Sequence, residues 1–177
     1  GNALDEISDI GAIISNEQLK RTLYYMDIAK KNSSTQILHG GNQVKGGEYK
    51  DGFYYQPTLL SGLPVSSPVC QEEVFGPVAC AIPFKSFDEV MKSANDTQFG
   101  LSAVLWTKDL SRALQFVDEI EAGFVQVNQC AAPRANVSYG GIKMSGLGKE
   151  YAFDSMMNHF TQSKTVLINR GKSNIDI

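Results

Sequence analysis

The run from residue 77 to residue 128 constrains this chain most, because apolar segments of strand length alternate there with segments of helical period. Residues 77–84 read as a buried strand, and Ser86 with Glu89 three positions later forms a capping box that opens a helix through about Ala94. Residues 102–106 read as the next strand. Asp109 then caps a helix whose Leu110, Ala113, Leu114 and Val117 share one face, and Gly123 stands where a left-handed C-cap belongs, ahead of a strand at 124–128. Strands joined in this way predict an α/β fold with a mainly parallel sheet, flanking helices and right-handed crossovers. Such sheets bind ligands in loops beyond the strand C-termini, which is where Asn128 and the following loop fall.

The flanks continue the alternation. Ser15 with Gln18 makes an earlier capping box, and Leu19, Leu23 and Met26 recur at helical spacing until Asn32-Ser33-Ser34 breaks the run. A strand at 35–38 follows, then a surface excursion around Gly40-Gly41 and Gly46-Gly47, then an extended aromatic segment at 53–60. Near the end, 149–158 reads as helical and 164–169 as a final strand before a polar tail.

Composition excludes several classes. A chain of 177 residues with 42% hydrophobic and 20% charged residues fits one soluble globular core. The net charge is −3 with Lys and Arg scattered, so there is no footprint for nucleic acid or an anionic membrane surface. The apolar stretches fall far short of the ~18 residues that a membrane span requires. A start at Gly1-Asn2-Ala3, without methionine, suggests an excised piece or a processed chain. Cys70, Cys80 and Cys130 have neither CxxC nor Cys/His ligand spacing, and His39 and His159 are isolated, so no metal site is expected and a reducing, cytoplasmic setting fits best.

The stretch with the most chemistry is Glu72-Glu73-Val74-Phe75-Gly76-Pro77-Val78. An ionised carboxylate can accept hydrogen bonds from both hydroxyls of a vicinal diol such as a ribose, and a nearby phenyl face can pack on the attached base. The alternative is a solvated acidic pair before an ordinary strand. The glycine-rich run from Gly140 to Gly148 fits neither phosphate fingerprint: a P-loop needs glycine at Lys143, and G-x-G-x-x-G from Gly146 needs glycine at Tyr151. It reads instead as a tight backbone crossing. Of the cysteines, Cys80 lies among Val78, Ala79, Ala81 and Ile82 as a buried thiol, Cys70 has acidic neighbours that oppose a thiolate, and Cys130 alone sits in the ligand-side loop.

Five motifs in order carry a family resemblance: GFYYQPTL at 52–59, EEVFGPV at 72–78, ANDTQFGL at 94–101, AGFVQVN at 122–128 and GGIKMSGLGKE at 140–150. Together they resemble the NAD(P)-dependent aldehyde dehydrogenase superfamily, from Gly1 to about Asn169, and only the C-terminal part of the catalytic domain. Ala12 departs from the pattern, where proline is common, and that bears on local loop geometry.

The resemblance implies an enzyme that oxidises an aldehyde to a carboxylic acid with NAD or NADP through a cysteine thioester. Its nucleophile and base belong to Gly-Gln-x-Cys and Glu-Leu-Gly-Gly elements that this sequence lacks, so no catalytic residue is expected here and the chain alone should be inactive. By motif position, Glu73 is implied to hold the nicotinamide ribose and Phe75 to pack near the nicotinamide. Tyr139 falls where the family often lines the aldehyde tunnel with an aromatic, and Cys130 lies in the implied substrate-side loop at 129–137, where Arg134 hints at a carboxylated aldehyde. The implied division is a partial catalytic domain at 1–162 and an oligomerisation strand with its tail at 163–177, joining a homo-oligomer. Two alternatives stay open: a glutamyl-phosphate-reductase-like enzyme fragment, and a noncatalytic interaction module on the same scaffold.

Overall fold

A computed structural model describes residues 1–168, in two compact units that divide between Thr97 and Gln98. The first unit is organised by helix α1 (Asn16–Lys31), whose N-cap Ser15 accepts a hydrogen bond from the Gln18 amide at 3.2 Å, with Glu17 in the first turn and Lys30 and Lys31 in the last. That arrangement suits the helix dipole at both ends. Leu19, Thr22, Tyr25, Met26 and Ala29 form its buried stripe.

Strands β1 (Gln36–His39), β4 (Thr58–Ser61) and β5 (Val78–Ala81) make a three-stranded sheet in the order β1-β4-β5, with β1 antiparallel and β5 parallel to β4. The glycine-rich excursion holds a small antiparallel ladder between β2 (Gln43–Val44) and β3 (Tyr54–Tyr55). Short helix α2 (Pro68–Gln71), begun by a proline that needs no amide partner, connects β4 to β5. Leu19, Met26, Ala29, Leu60, Leu63, Val69 and Val74 join in one core cluster. Helix α3 (Phe87–Asn95) starts as expected at Ser86, whose hydroxyl accepts from the Glu89 amide at 3.2 Å. The Glu89 carboxylate reaches back one residue further than a reciprocal box requires, to the Lys85 amide at 2.8 Å.

The second unit starts at Gln98. Strands β7 (Ser102–Leu105) and β8 (Phe124–Val127) pair in parallel across helix α4 (Leu110–Glu119), whose N-cap Asp109 accepts from the Arg112 amide at 3.1 Å. Strand β6 (Phe99–Gly100) pairs antiparallel with β9 (Ile142–Lys143), and helix α5 (Phe153–Phe160) follows. No helix among the described residues is long and apolar enough to cross a membrane.

The α/β class stands, with mixed ladders: among the described residues, parallel pairing joins β4 with β5 and β7 with β8. Several local expectations need correction. Within the first unit β5 takes β4 as its parallel neighbour, and within the second β7 takes β8. Strand β5 is shorter than 77–84 and only half-buried, since Val78 and Cys80 face the core cluster while Ala79 points away, as the two-residue period of a strand requires.

Helix α4 buries Ala113 and Phe116 and leaves Leu110, Leu114 and Val117 exposed, so its apolar face is rotated from the expected one. Gly123 is not a left-handed C-cap: α4 ends at Glu119 with Ile120 as its C-cap, and the glycine serves close approach, since a Cβ there would collide with the Gly140 carbonyl. The last helix starts at Phe153, not at 149, because Glu150 pairs as an isolated bridge with Tyr139 and Tyr151 turns the chain with φ 66°. Among residues 164–168 no strand forms and all are exposed; Asn169 and the tail lie outside the described residues.

Candidate functional site

The Glu72–Gly76 turn is built by one face of α1. Gln18, Arg21, Thr22 and Tyr25 stand at the i, i+3, i+4, i+7 spacing that aligns side chains along a helix, and each engages the turn. The Gln18 side-chain amide donates to the carbonyls of Val74 at 3.0 Å and Phe75 at 2.7 Å. Arg21 donates to the Glu73 carbonyl at 2.7 Å and to the Tyr25 hydroxyl at 3.3 Å, with its guanidinium 5.4 Å from the centre of the Tyr25 ring. Thr22 packs where a side chain on residue 76 would sit, which is why that residue is glycine.

This scaffold treats the two carboxylates differently. Glu72 accepts a 2.6 Å hydrogen bond from the Tyr25 hydroxyl, and that bond, with burial of the ring, pushes the tyrosine's pKa up. Glu73 is held by its backbone and is exposed, and among the described residues its carboxylate has no hydrogen-bond or ion-pair partner. A fixed main chain with an uncommitted, acceptor-only carboxylate is the arrangement that a diol ligand requires.

Phe75 completes the turn. Its ring is 70% exposed and its φ of 56° lies in the left-handed region, which costs a residue with a side chain about 1–3 kcal/mol. The Gln18 bonds to the carbonyls of Val74 and Phe75 and the burial of Val74 hold that conformation. The positive φ falls at Phe75, one residue ahead of Gly76-Pro77.

In the second unit, Cys130 and Tyr139 belong to the connection between β8 and β9. Cys130 is exposed, and the loop leaves β8 under the control of buried Gln126, whose side-chain oxygen accepts from the Ala131 amide at 2.9 Å. Tyr139 is half-buried, with its ring edge-on to Phe124 at 5.2 Å and to Tyr151 at 6.0 Å, and its backbone pairs with Glu150 in both directions, at 3.0 and 2.7 Å. Packing accounts for much of its position.

The end of that loop is tied by Lys149, whose ammonium donates to the carbonyls of Gly140 at 2.7 Å, Gly141 at 3.3 Å and Gly123 at 3.4 Å. Together with the contact at Gly123, this makes the glycine-rich run the tight backbone crossing that its composition suggested. Sequence reading missed Lys149 as well as Gln18, Arg21 and Tyr25. A polar stripe beside the apolar one on α1 was the available signal for the last three; a lysine between Gly148 and Glu150 carried none.

Burial, then contact with Cys80, pushes the Cys70 thiol up to about 12, and burial raises Cys80 as well. The acidic neighbours invoked from the sequence are not what governs Cys70. No cluster of His, Cys, Asp and Glu suited to a metal is found among the described residues.

The profile of the aldehyde dehydrogenase family matches residues 1–166. The chain is 39% identical over 168 residues to aldehyde dehydrogenase B of Escherichia coli strain K12, covering 95% of this chain and 32% of that protein. It is 40% identical to an aldehyde dehydrogenase of Rhodospirillum rubrum, covering 95% of this chain and 33% of the relative. A crystal structure of betaine aldehyde dehydrogenase from Staphylococcus aureus in complex with NAD+ superposes with a TM-score of 0.89 at 30% identity, covering 99% of this chain and 35% of that one. The chain thus spans about a third of the length of the relatives it matches.

Proposed function

The chain belongs to the aldehyde dehydrogenase family, and we propose that it acts as the C-terminal part of an enzyme that oxidises an aldehyde to a carboxylic acid with NAD or NADP. The observation that carries this reading is the division of labour at residues 72 and 73: one carboxylate is consumed by Tyr25, and its neighbour is presented without a partner on a braced turn. In that enzyme Glu73 accepts hydrogen bonds from the nicotinamide ribose and the exposed Phe75 ring packs beside the nicotinamide. The cofactor, when bound, supplies a hydride acceptor. The residues of this chain position it and contribute neither nucleophile nor base.

Cys130 and Tyr139 lie on the substrate side of the same enzyme, where the Lys149 knot keeps the end of the loop at a fixed distance from β8. Residues 1–162 form part of the catalytic domain, and residues 163–177 serve as an assembly strand and tail. The exposed Val166, Leu167 and Ile168 support that reading, because such an apolar segment gains by pairing with a sheet edge on another subunit of a homo-oligomer. A cytoplasmic location fits three free thiols with no disulfide framework among them.

Two experiments test the reading. The 177-residue chain alone should produce no aldehyde-dependent NADH and bind NAD+ no better than weakly by calorimetry, whereas the full-length protein should do both. Micromolar affinity or turnover by the isolated chain would overturn it. Truncating the full-length protein after Gln162 should reduce its sedimenting mass to that of a smaller assembly; an unchanged mass would leave 163–177 without its assembly role.

A further inference from the structure

In the first unit, the segment that follows β5 and one side of helix α3 border a cavity of about 340 Å³, whose lining includes neither Glu73 nor Phe75. Its apolar wall is made by Val65, Ile82, Phe84 and Val90. Phe84 is 58% exposed and Ile82 39%, so the unit leaves much of that wall uncovered. The charged groups of the lining are the carboxylates of Glu89 and Asp96, and no lysine or arginine stands among the lining residues. Gln71 spans the site: its side-chain amide donates to the Val65 carbonyl at 3.0 Å and to the Asp96 carbonyl at 2.8 Å. Both of its N–H donors are thereby used, and what remains is its acceptor oxygen.

The two acids stand at opposite ends of α3. Glu89 lies in its first turn, where one carboxylate oxygen accepts from the Lys85 amide at 2.8 Å and so fixes the group while leaving its second oxygen to accept. Asp96 is the C-cap, where the helix dipole already concentrates negative charge. Lys92, the basic residue of that last turn, is not part of the lining. We propose that this cavity is a binding site for a small organic cation, a protonated amine that carries a phenyl-sized apolar group. The apolar group packs on Ile82, Phe84 and Val90, and the ammonium turns to Glu89, Asp96 and the Gln71 oxygen, with the Phe84 ring face as a further source of attraction. A carboxylate of the same shape is repelled by both acids, and a neutral alcohol gains the apolar contact alone.

The site stands on the first unit alone and is independent of the activity proposed above. The test is titration of the 177-residue chain with phenethylamine, followed by amide NMR. Shifts should be confined to the Gln71 side chain and the amides of residues 82–97, with a Kd on the order of 1 mM, as suits so small a ligand. Phenethyl alcohol should bind about fivefold more weakly, and Glu89→Gln and Asp96→Asn should each weaken the amine by about two- to fivefold, the scale of an exposed ion pair. Ala94→Trp, at an exposed position of α3 on the cavity wall, should weaken it at least about tenfold by filling the space, and it leaves the core cluster untouched if an acid variant folds poorly. Equal affinity for the alcohol and the amine, an unchanged Kd in both acid variants, or shifts with no focus at the cavity would overturn the assignment.

Discussion

The turn at 72–76 and the loop at 129–139 are held by opposite means. The turn is braced from outside, by three long polar side chains of α1 that reach 47 to 57 positions along the chain to grip backbone carbonyls and one carboxylate. The loop is tied by Gln126 where it leaves β8, by the Asn136 amide, which donates to the Tyr151 carbonyl at 2.8 Å, and by the Lys149 knot and the Tyr139–Glu150 bridge where it returns. Between those ties, residues 129–138 have no regular structure and are mostly exposed. A site for an invariant ligand such as a nicotinamide ribose gains from fixing every carbonyl, because preorganisation lowers the ordering cost of binding. A site for a substrate that differs between relatives gains from a loop whose ends are fixed and whose middle can change.

If the loop depends on its end knot, the largest effects should come from breaking it. Gly123→Ala places a methyl group against the Gly140 backbone carbonyl, which cannot rotate away, and should cost about 3 kcal/mol of unfolding free energy in thermal or urea denaturation. Lys149→Met removes the donor shared by three carbonyls and should cost about 2 kcal/mol, with Lys149→Arg recovering part of it. A loss under about 0.5 kcal/mol for both, the size of an ordinary surface change, would mean that the crossing is held by something else.

A smaller effect tests the other half of the comparison. Gln18→Ala leaves the N-cap intact, because Ser15 accepts from the backbone amide, but it removes both side-chain bonds to the turn. Stability should fall by about 1 kcal/mol, while the KM for NAD in the full-length enzyme rises several-fold as Phe75 relaxes from its left-handed conformation. Equal kinetics in the variant would show that the turn keeps its shape without α1.

These contrasts also mark what the sequence could reveal. Helices α1, α3 and α4 were legible at their N-termini, because Ser15, Ser86 and Asp109 cap through local bonds that a sequence displays. Their burial was less so: Leu110, Leu114 and Val117 look like a core face, yet Phe116 and Ala113 are the buried ones. Periodicity names an apolar face and says nothing of which partner element covers it. The carboxylate pair was visible as chemistry, but the assignment of Glu72 to Tyr25 depends on a contact 47 positions away, and strand pairing at β5 likewise turns on its distant neighbour β4. Lys149 was opaque for the same reason, since its partners are carbonyls brought together by a chain crossing.

The central claim is that the braced turn uses one acid for structure and the next for the cofactor, and steady-state kinetics of two full-length variants test it directly. Glu73→Gln removes a charge-assisted hydrogen bond worth ~1.5–3 kcal/mol, so kcat/KM for NAD should fall roughly 10–150-fold with little change in thermal stability. Glu72→Gln should lower stability through the weakened Tyr25 contact and change kcat/KM by no more than about threefold, the scale of a rim position. Equal kinetic losses in the two variants, or a larger loss from Glu72→Gln, would contradict the account and make the acidic pair a structural turn alone.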